Sequence, residues 1–540
     1  MRRVLAFLLA AIGAFAQVTW DRLIQSAHEP HNWMTYSGSY MSQRHSALKQ
    51  ITPENSKNLE QKWVFQAESL QKFETTPLVV DGIMYFTQPT NDVVALDAKS
   101  GRVFWIYRYA NSPDAKACCG AVNRGLAILG DLLFMATLDA HLVAIDAKSG
   151  KPVWKTKVAD TDAGYTMTLA PLVVKDKVVV GVAGGEYGIR GFISAYDAGT
   201  GKEAWKFYTI PGPGEPGHET WEGDSWKSGG ASVWLTGSYE PALNLMYWGV
   251  GNPGPDWNPA QRQGLNLYSD SVVALDGDTG KLKWHFQFTP GDPYDYDAVQ
   301  IPVLADMNWR GRDRKLMLWA NRNGFYYVLD RTNGEFLAGS NFVKVTWAKG
   351  LDASGKPVMT PEEPGTPVFP GVQGATNWYS PSYSPRTGLF YIPAWEDYSS
   401  IFVREKQVYK PGQRFTGGRP IAPIPGATNP GLMATKINVA TEALGHGSVL
   451  AYDVRTGQRI WKFDMHDVTD SGILTTATDV LFTGGREGYF HALDARTGQA
   501  LWRVQLGGAI MAGPMTYQVD GDQYVAVAAG HALFVFGLRK

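Results

Sequence analysis

The chain has 540 residues, of which 50 are basic and 51 acidic, and its formal net charge at pH 7 is −1. The two kinds of charge are interspersed, which excludes the large basic surface that binding to nucleic acid or to an anionic membrane requires. The two cysteines, Cys118 and Cys119, are adjacent and lack nearby cysteine or histidine partners, which excludes both a general disulfide framework and a zinc site.

The first residues have the pattern of a secretory signal peptide. Met1-Arg2-Arg3 is a charged start, residues 4–15 are apolar, and Ala14-Phe15-Ala16 matches a cleavage site. A transmembrane anchor is the alternative, but it needs about 20 apolar residues and this run is shorter. We therefore predict cleavage after Ala16, export to the periplasm, and a single mature domain over residues 17–540 without a membrane span.

A short pattern recurs along the chain: an apolar strand that ends in Ala-x-Asp, a Gly four residues later, and a Trp four residues after the Gly. The apolar residues favour strands, the Asp and Gly favour a turn, and the Trp begins the next strand. Copies lie about 40 to 80 residues apart, which leaves room for the four strands of a propeller blade. The full copies end at Trp105, Trp154, Trp205, Trp284, Trp461 and Trp502, and a further copy, from Val328 to Gly334, lacks the Trp.

These repeats predict an all-β, eight-bladed β-propeller with tryptophan-docking blades. A β-sandwich with similar turns is the alternative, but it does not need a Trp at a fixed place in each unit. We expect the strand around Trp63 to close the ring by pairing with the last blade. Three stretches rich in Pro and Gly, residues 211–217, 349–374 and 410–431, are predicted to be long loops on one face, where binding sites are commonly built.

The repeat resembles that of the PQQ-dependent methanol and ethanol dehydrogenases, and the resemblance extends from about Trp20 to the C-terminus. It implies a quinoprotein alcohol dehydrogenase that holds pyrroloquinoline quinone (PQQ) and a hard metal ion at the propeller axis. Similar repeats also occur in non-catalytic propeller scaffolds of outer-membrane assembly. The residues of the site must therefore decide between an enzyme and a scaffold.

The adjacent cysteines are the most specific of these residues. They can close only an eight-membered ring, and two unrelated buried thiols are the alternative. The resemblance implies a vicinal disulfide over one face of the quinone, with Arg124 paired to a carboxylate of the cofactor. Trp234 matches the residue that forms the aromatic plane on the other face, with Ser232 beside it, although a tryptophan of the core is the alternative.

Further residues match cofactor contacts of the family. PQQ carries three carboxylates and two quinone oxygens, so its pocket needs cations and hydrogen-bond donors. Arg322 matches the arginine near the reactive quinone oxygens. Taken singly, such residues are more often surface or turn residues. The other matching residues are Glu74, Thr168, Ala183, Gly184, Gly185, Asn377 and Trp378.

The resemblance also implies a metal site made of oxygen ligands. Glu186, Asn252 and Asp295 suit a hard cation rather than zinc or copper. Asp297 stands where calcium enzymes of the family have a small uncharged residue and lanthanide enzymes have an aspartate. An added carboxylate raises the negative charge of the site, so we predict a lanthanide ion, with calcium as the alternative. A solvated loop acid is the other interpretation of Asp297.

The reaction implied by the resemblance is the oxidation of a small primary alcohol to an aldehyde. Asp295 is the expected catalytic base, the metal ion polarises a quinone carbonyl beside Arg322, and hydride passes to PQQ. The chain has no Cys-x-x-Cys-His motif, so we expect a separate, soluble cytochrome c as the electron acceptor. A homodimer is compatible with these features.

One departure from the family concerns the substrate. Where the methanol enzyme has a Trp near the quinone, this chain has Thr469-Asp470-Ser471-Gly472, and residues 221–226 and 247–252 resemble the ethanol-type enzymes more closely. We therefore expect a substrate range wider than methanol. A PQQ enzyme that acts on sugars is the alternative, but it resembles the chain less at the cysteine pair. A scaffold would need neither these cysteines nor the paired aspartates 295 and 297.

Overall fold

The computed structural model describes residues 18–423 and 445–540. The predicted signal peptide and the end of the third predicted loop lie outside these residues. Within them, no helix has the length and apolar composition needed to cross a membrane. In the described residues, helical structure is confined to one α-helix, Trp20–Ile24, and to the short 3-10 helices Ser26–His28, Ser56–Asn58, Thr161–Ala163, Gly185–Tyr187, His218–Thr220, Ser225–Ser228 and Pro259–Gln261.

The rest of the regular structure is β, as predicted. In chain order, the strands of the described residues are β1 (His45–Ser46), β2 (Leu59–Gln66), β3 (Leu78–Val80), β4 (Ile83–Gln88), β5 (Asp92–Asp97), β6 (Val103–Tyr107), β7 (Ala127–Leu129), β8 (Leu132–Ala136), β9 (His141–Asp146), β10 (Pro152–Lys157), β11 (Leu172–Val174), β12 (Lys177–Gly181), β13 (Phe192–Asp197), β14 (Glu203–Tyr208), β15 (Ser238–Glu240), β16 (Leu245–Gly249), β17 (Ser271–Asp276), β18 (Leu282–Gln287), β19 (Val303–Trp309), β20 (Arg312–Ala320), β21 (Phe325–Asp330), β22 (Glu335–Asn341), β23 (Ala348–Leu351), β24 (Pro357–Met359), β25 (Ser382–Ser384), β26 (Leu389–Glu396), β27 (Ile401–Arg404), β28 (Gly418–Ile421), β29 (His446–Asp453), β30 (Arg459–Asp464), β31 (Leu474–Thr476), β32 (Val480–Gly484), β33 (Tyr489–Asp494), β34 (Ala500–Gln505), β35 (Met515–Val519), β36 (Asp522–Ala529) and β37 (Ala532–Leu538).

These strands form the eight blades of a propeller. Seven blades take their strands from one stretch of chain each: β3–β6, β7–β10, β11–β14, β15–β18, β19–β22, β25 with β26, β29 and β30, and β31–β34. The eighth joins β35–β37 to β2. Within a blade the first strand is buried and the fourth is partly exposed, as β3 and β6 illustrate. First strands therefore surround the axis, and fourth strands form the rim.

The N-terminal strand closes the ring, as predicted. β2 pairs antiparallel with β37, so that Trp63 lies opposite Val535. β1 adds a second link, because it pairs parallel with β31 at the inner edge of the seventh blade. Strands from the two ends of the described chain thus share sheets, and closure leaves no gap between the first and last blades.

The repeated tryptophans contact the blade that follows their own. The indole Nε1 of Trp154 donates a hydrogen bond to the carbonyl of Ala198 in the following blade, at 3.1 Å. Its ring lies against Gly201, where a Cβ would come within 2.5 Å of the indole Cε3. The same hydrogen bond joins Trp63 to Ala98, Trp105 to Ala147 and Trp461 to Ala495. The Trp and the Gly of the repeat are therefore two halves of one contact between blades.

The copy without Trp shows what replaces this contact. The fourth strand of the fifth blade, β22, has no Trp, and in the described residues nothing beyond its chain neighbours lies within 4 Å of a Cβ built on Gly457 of the next blade. Trp309 in β19 instead donates from Nε1 to the carbonyl of Val454, at 3.0 Å. The link between these two blades is kept by a tryptophan from another strand.

Gly150 and Gly457 make a matched pair for measuring the tryptophan contact. Both have φ of 70° at the same turn position, but only Gly150 lies under an indole, with 2.6 Å between its built Cβ and Trp105 Cε3. We expect Gly457→Ala to lower the free energy of unfolding by about 1 kcal/mol through the backbone alone, and Gly150→Ala to lower it by about 2 to 4 kcal/mol. Urea unfolding followed by tryptophan fluorescence compares them, and equal losses would contradict the indole as the cause.

Candidate active site

A cavity lies on the propeller axis at the end where the first strands begin. Because the first two strands of a blade are antiparallel, the start of the first strand lies beside the end of the second. Residues just before first strands and just after second strands therefore meet at this end. The first group is Glu74, Arg124, Thr168, Trp234, Asp297, Trp378, Asp470 and Met511, one from each blade, and the second is Glu186, Asn252, Arg322 and Arg486.

The structure brings the predicted site residues together around this cavity. Gly185 is the exception, since it lies just behind the lining, where a Cβ would be 3.4 Å from Ser232 Oγ. The predicted residues that line the cavity are Glu74, Cys118, Cys119, Arg124, Thr168, Ala183, Gly184, Glu186, Ser232, Trp234, Asn252, Asp295, Asp297, Arg322, Asn377 and Trp378.

Cys118 and Cys119 form a disulfide on the cavity wall. Their sulfur atoms and a carboxylate oxygen of Glu186 all lie within 4.8 Å of one another. Lys72 Nζ donates to the carbonyl of Cys119 at 3.1 Å, and Arg414 Nη2 donates to that of Cys118 at 3.2 Å. Two cations from distant segments thus hold the disulfide against the acidic side of the cavity.

Arg124 lies at the centre of the aromatic side. Its Nη2 pairs with Glu74 Oε2 at 2.8 Å, and its Nη1 donates to Thr168 Oγ1 at 2.9 Å. The guanidinium carbon is 5.1 Å from the ring centroid of Trp234 and 4.8 Å from that of Trp378. These contacts fix the position of the cation, while its Nε has no partner among the residues described, which leaves a donor for an anionic ligand.

Asp297 organises the opposite side. The residue is only 5% exposed, and its carboxylate accepts hydrogen bonds from Asn252 N at 2.8 Å, Trp234 Nε1 at 3.2 Å and Arg322 Nη1 at 2.6 Å. Arg322 Nη2 also lies 3.6 Å from Asp295 Oδ2. Its burial and these contacts exclude the interpretation of Asp297 as a solvated loop acid.

Four carboxylates lie on this side of the cavity, close to the guanidinium of Arg322. Burial raises the pKa of Glu186, Asp256, Asp295 and Asp297 above the usual carboxylate range. Repulsion between these neighbouring acids raises the pKa of the first three further, whereas Arg322 lowers that of Asp295 and Asp297. Crowded oxygen donors of this kind, two of them buried and two half-buried, fit a hard multivalent cation, whose charge would offset the repulsion.

The remaining wall fits a planar, polyanionic ligand. Its basic residues are Lys72, Arg124, Arg414 and Arg486, and its aromatic residues are Trp234, Trp257 and Trp378. Besides Arg124 Nε, the buried donors Arg322 Nε and Trp257 Nε1 have no hydrogen-bond partner within residues 18–423 and 445–540. Aromatic faces with nearby cations and unused donors are what a carboxylated quinone such as PQQ requires.

Sequence reasoning missed several residues of this wall, chiefly Lys72, Asp256, Trp257, Arg414 and Arg486, together with the ion-pairing role of Asp470. Arg486 Nε pairs with Asp470 Oδ2 at 2.6 Å, in the segment where the family has a Trp. Asp470 comes four residues before β31, as Glu74 comes four before β3. This shared offset is the signal that could have found it. Arg414 belongs to a loop inserted between β27 and β28, and no repeat position marks it.

Comparison with known proteins also points to a PQQ-dependent enzyme. A family model described as "Glucose/ethanol/alcohol dehydrogenase, beta-propeller domain" and named PQQ matches residues 33–349, and one for the outer membrane protein assembly factor BamB matches residues 445–536. Quinohemoprotein alcohol dehydrogenase ADH IIB of Pseudomonas putida is 40% identical over 97% of this chain and 77% of its own length. The lanthanide-dependent methanol dehydrogenase of Methylacidiphilum fumariolicum is 37% identical over 97% of this chain and 89% of its own length.

Solved structures agree. The chain is similar to a europium-containing methanol dehydrogenase, with a TM-score of 0.88 and 34% identity over 96% of this chain and 100% of that one. It is also similar to quinohemoprotein alcohol dehydrogenase ADHIIG of Pseudomonas putida HK5, with a TM-score of 0.89 and 37% identity over 97% of this chain and 82% of that one. These four relatives match 96% or more of this chain and are all dehydrogenases by name, which decides against the scaffold alternative. The chain belongs to the PQQ-dependent alcohol dehydrogenase family of β-propeller quinoproteins.

Proposed function

We propose that this dehydrogenase is a periplasmic, lanthanide-dependent enzyme that oxidises small primary alcohols to aldehydes and passes the electrons to a soluble cytochrome c. The observation that carries the metal assignment is Asp297, a buried carboxylate beside Asp295, Asn252 and Glu186 in one cavity. The likeness to a lanthanide-dependent methanol dehydrogenase and to a europium-containing one supports this choice of metal.

The residues that line the cavity fall into two sets, one for the metal ion and one for PQQ. Glu186, Asn252, Asp295 and Asp297 would hold the metal ion through their side-chain oxygens. The disulfide and Trp234 would cover the two faces of PQQ, and Arg124 would pair with one of its carboxylates. The remaining contacts would come from Glu74, Thr168, Ala183, Gly184, Gly185, Ser232, Arg322, Asn377 and Trp378. When bound, PQQ supplies a two-electron acceptor and the metal ion a Lewis acid.

Asp295 is the group of this chain that would remove the hydroxyl proton of the alcohol. A base must be ionised to work: burial and the neighbouring acids raise the pKa of Asp295, and the positive charge of Arg322, 3.6 Å away, opposes them by lowering this pKa. Arg322 is itself held by Asp297 and by the carbonyl of Val372, which accepts from Nη2 at 2.6 Å. The proton would therefore rest on Asp295 beside a cation whose position is fixed from both sides.

The assignment is tested by reconstitution. Purified protein freed of metal and given PQQ is assayed for dye-linked oxidation of ethanol, with either lanthanum or calcium as the added ion. Because the acids of the site favour the higher charge, we expect lanthanum to support at least roughly tenfold more activity than calcium. Activity with calcium alone would contradict the lanthanide assignment and leave the dehydrogenase intact. A lack of activity with both ions would contradict the assigned activity.

The assignments of the electron acceptor and of the compartment are both based on the two cysteines. Both are joined in the disulfide, so these 540 residues offer no cysteine for covalent attachment of haem, which supports a separate cytochrome c as the acceptor. A vicinal disulfide suits an oxidising compartment such as the periplasm. Reduction of added cytochrome c by the holoenzyme with ethanol tests the acceptor. N-terminal sequencing of protein from the periplasmic fraction tests cleavage after Ala16.

A further inference from the structure

The segment that follows Asn252 returns to the cavity four residues later. Asp256 lines it together with Glu186, Asn252, Asp295 and Asp297. Its side chain is buried, with 2% exposure, and its Oδ1 has no hydrogen-bond partner in the part of the chain that the structure describes. A buried carboxylate oxygen without a donor is costly unless a cation or a proton satisfies it.

The buried cation nearest in sequence does not satisfy this carboxylate. Arg262 is fully buried, but its guanidinium donates to backbone carbonyls: Nε to Pro255 at 3.1 Å and Nη2 to Asp256 at 3.1 Å. Its Nη1 donates to Asn266 Oδ1 at 2.9 Å. Arg262 therefore holds the segment in place through its backbone and leaves the Asp256 side chain turned to the cavity.

From this geometry we propose that Asp256 is a further anionic ligand of the metal ion in this enzyme. The inference rests on the proposed metal site and deepens it. Asp256 adds a fourth carboxylate to those of Glu186, Asp295 and Asp297, and each added negative charge favours a trivalent ion over a divalent one. The effect of Glu186 agrees, since its charge raises the pKa of Asp256 beyond the effect of burial.

Cation binding to the PQQ-loaded full chain tests the proposal without an activity assay. Terbium chloride and calcium chloride are titrated into the wild type and Asp256→Asn, with calorimetry and terbium luminescence as readouts. Asp139→Asn is the matched control, because Asp139 is also buried, with 4% exposure, but accepts from Tyr109 OH at 2.9 Å and Ser112 N at 3.2 Å and does not line the cavity.

We expect Asp256→Asn to raise the Kd for terbium by at least roughly tenfold and the Kd for calcium by less, because the loss of one charge weakens a trivalent ion more. The control should bind both ions like the wild type. An unchanged Kd for terbium in Asp256→Asn, or an equal rise in the control, would overturn the inference. Failure of the wild type to bind terbium would overturn the proposed lanthanide site instead.

Thermal unfolding separates a ligand from a structural residue. Without added metal, Asp256→Asn removes a buried negative charge, so its Tm should equal or exceed that of the wild type. With saturating terbium, its Tm should rise less than that of the wild type, since tighter binding to the native state gives the larger shift. A lower metal-free Tm together with an undiminished terbium shift would make Asp256 a structural residue and overturn the proposal.

Discussion

Asp295→Asn is expected to lower kcat for ethanol oxidation by roughly 10³-fold, the middle of the range for loss of a general base. The amide cannot take the hydroxyl proton of the alcohol, but it preserves the shape of the side chain. Asp295 has φ of 64°, a left-handed conformation that asparagine also tolerates, so the backbone should not move. PQQ content, measured by absorbance, should stay at the wild-type level.

Since Asp295 is also a proposed metal ligand, the assay needs a lanthanum titration. If kcat stays low at saturating lanthanum, the variant has lost the catalytic base. If saturating lanthanum restores kcat, the variant has lost only affinity for the metal ion. Asp313→Asn, a change at an exposed residue of the β19–β20 hairpin, should match the wild type. More than about a tenth of the wild-type kcat in Asp295→Asn would contradict the assignment of the base.

Asp297→Ala is expected to lower lanthanum-supported kcat/KM for ethanol by about 100-fold or more, with a smaller fall for calcium-supported activity. The substitution removes a negative charge from the site and also an acceptor of three hydrogen bonds. Arg322 Nη1, Trp234 Nε1 and Asn252 N would lose their shared partner, and each unsatisfied buried donor costs about 1 to 3 kcal/mol. Steady-state kinetics with each ion measures both effects.

The ratio of the two activities is the decisive quantity. If Asp297 selects the metal, the lanthanum to calcium ratio falls well below that of the wild type. If it only positions Arg322, both activities fall by the same factor and the ratio is unchanged, which would contradict the selective role. Asp313→Ala controls for the loss of an acidic side chain outside the cavity.

The fold could be predicted because its information is local. Each repeat carries its own alternating strand residues, its Asp and Gly turn and its Trp, and the structure uses these in the contact between Trp154, Ala198 and Gly201. Pairing of β2 with β37 followed from the position of Trp63. Trp309 could not be predicted in the same way, because its hydrogen bond to Val454 replaces the repeat contact from a different strand.

The site was predicted less completely than the fold. The residues that match family motifs, among them Cys118, Arg124 and Asp297, do line one cavity. Asp256 was missed because an acid after two prolines and a glycine has the sequence character of a turn, and only its burial beside Glu186 marks it as part of the site. Arg414 was missed because its partner, the carbonyl of Cys118, is distant in sequence.

By itself, the sequence determined the propeller and its closure, since periodicity and turns depend on near neighbours in the chain. Its resemblance to the family indicated the chemistry of the matching residues. Only the tertiary structure decided which charges share the cavity. Eight blades each deliver a few side chains to the axis, so the balance of Glu186, Asp256, Asp295 and Asp297 against Arg322 arises between segments that are far apart in the chain. Desolvation and Coulomb repulsion depend on the distances between these groups in space, and no local sequence pattern gives those distances.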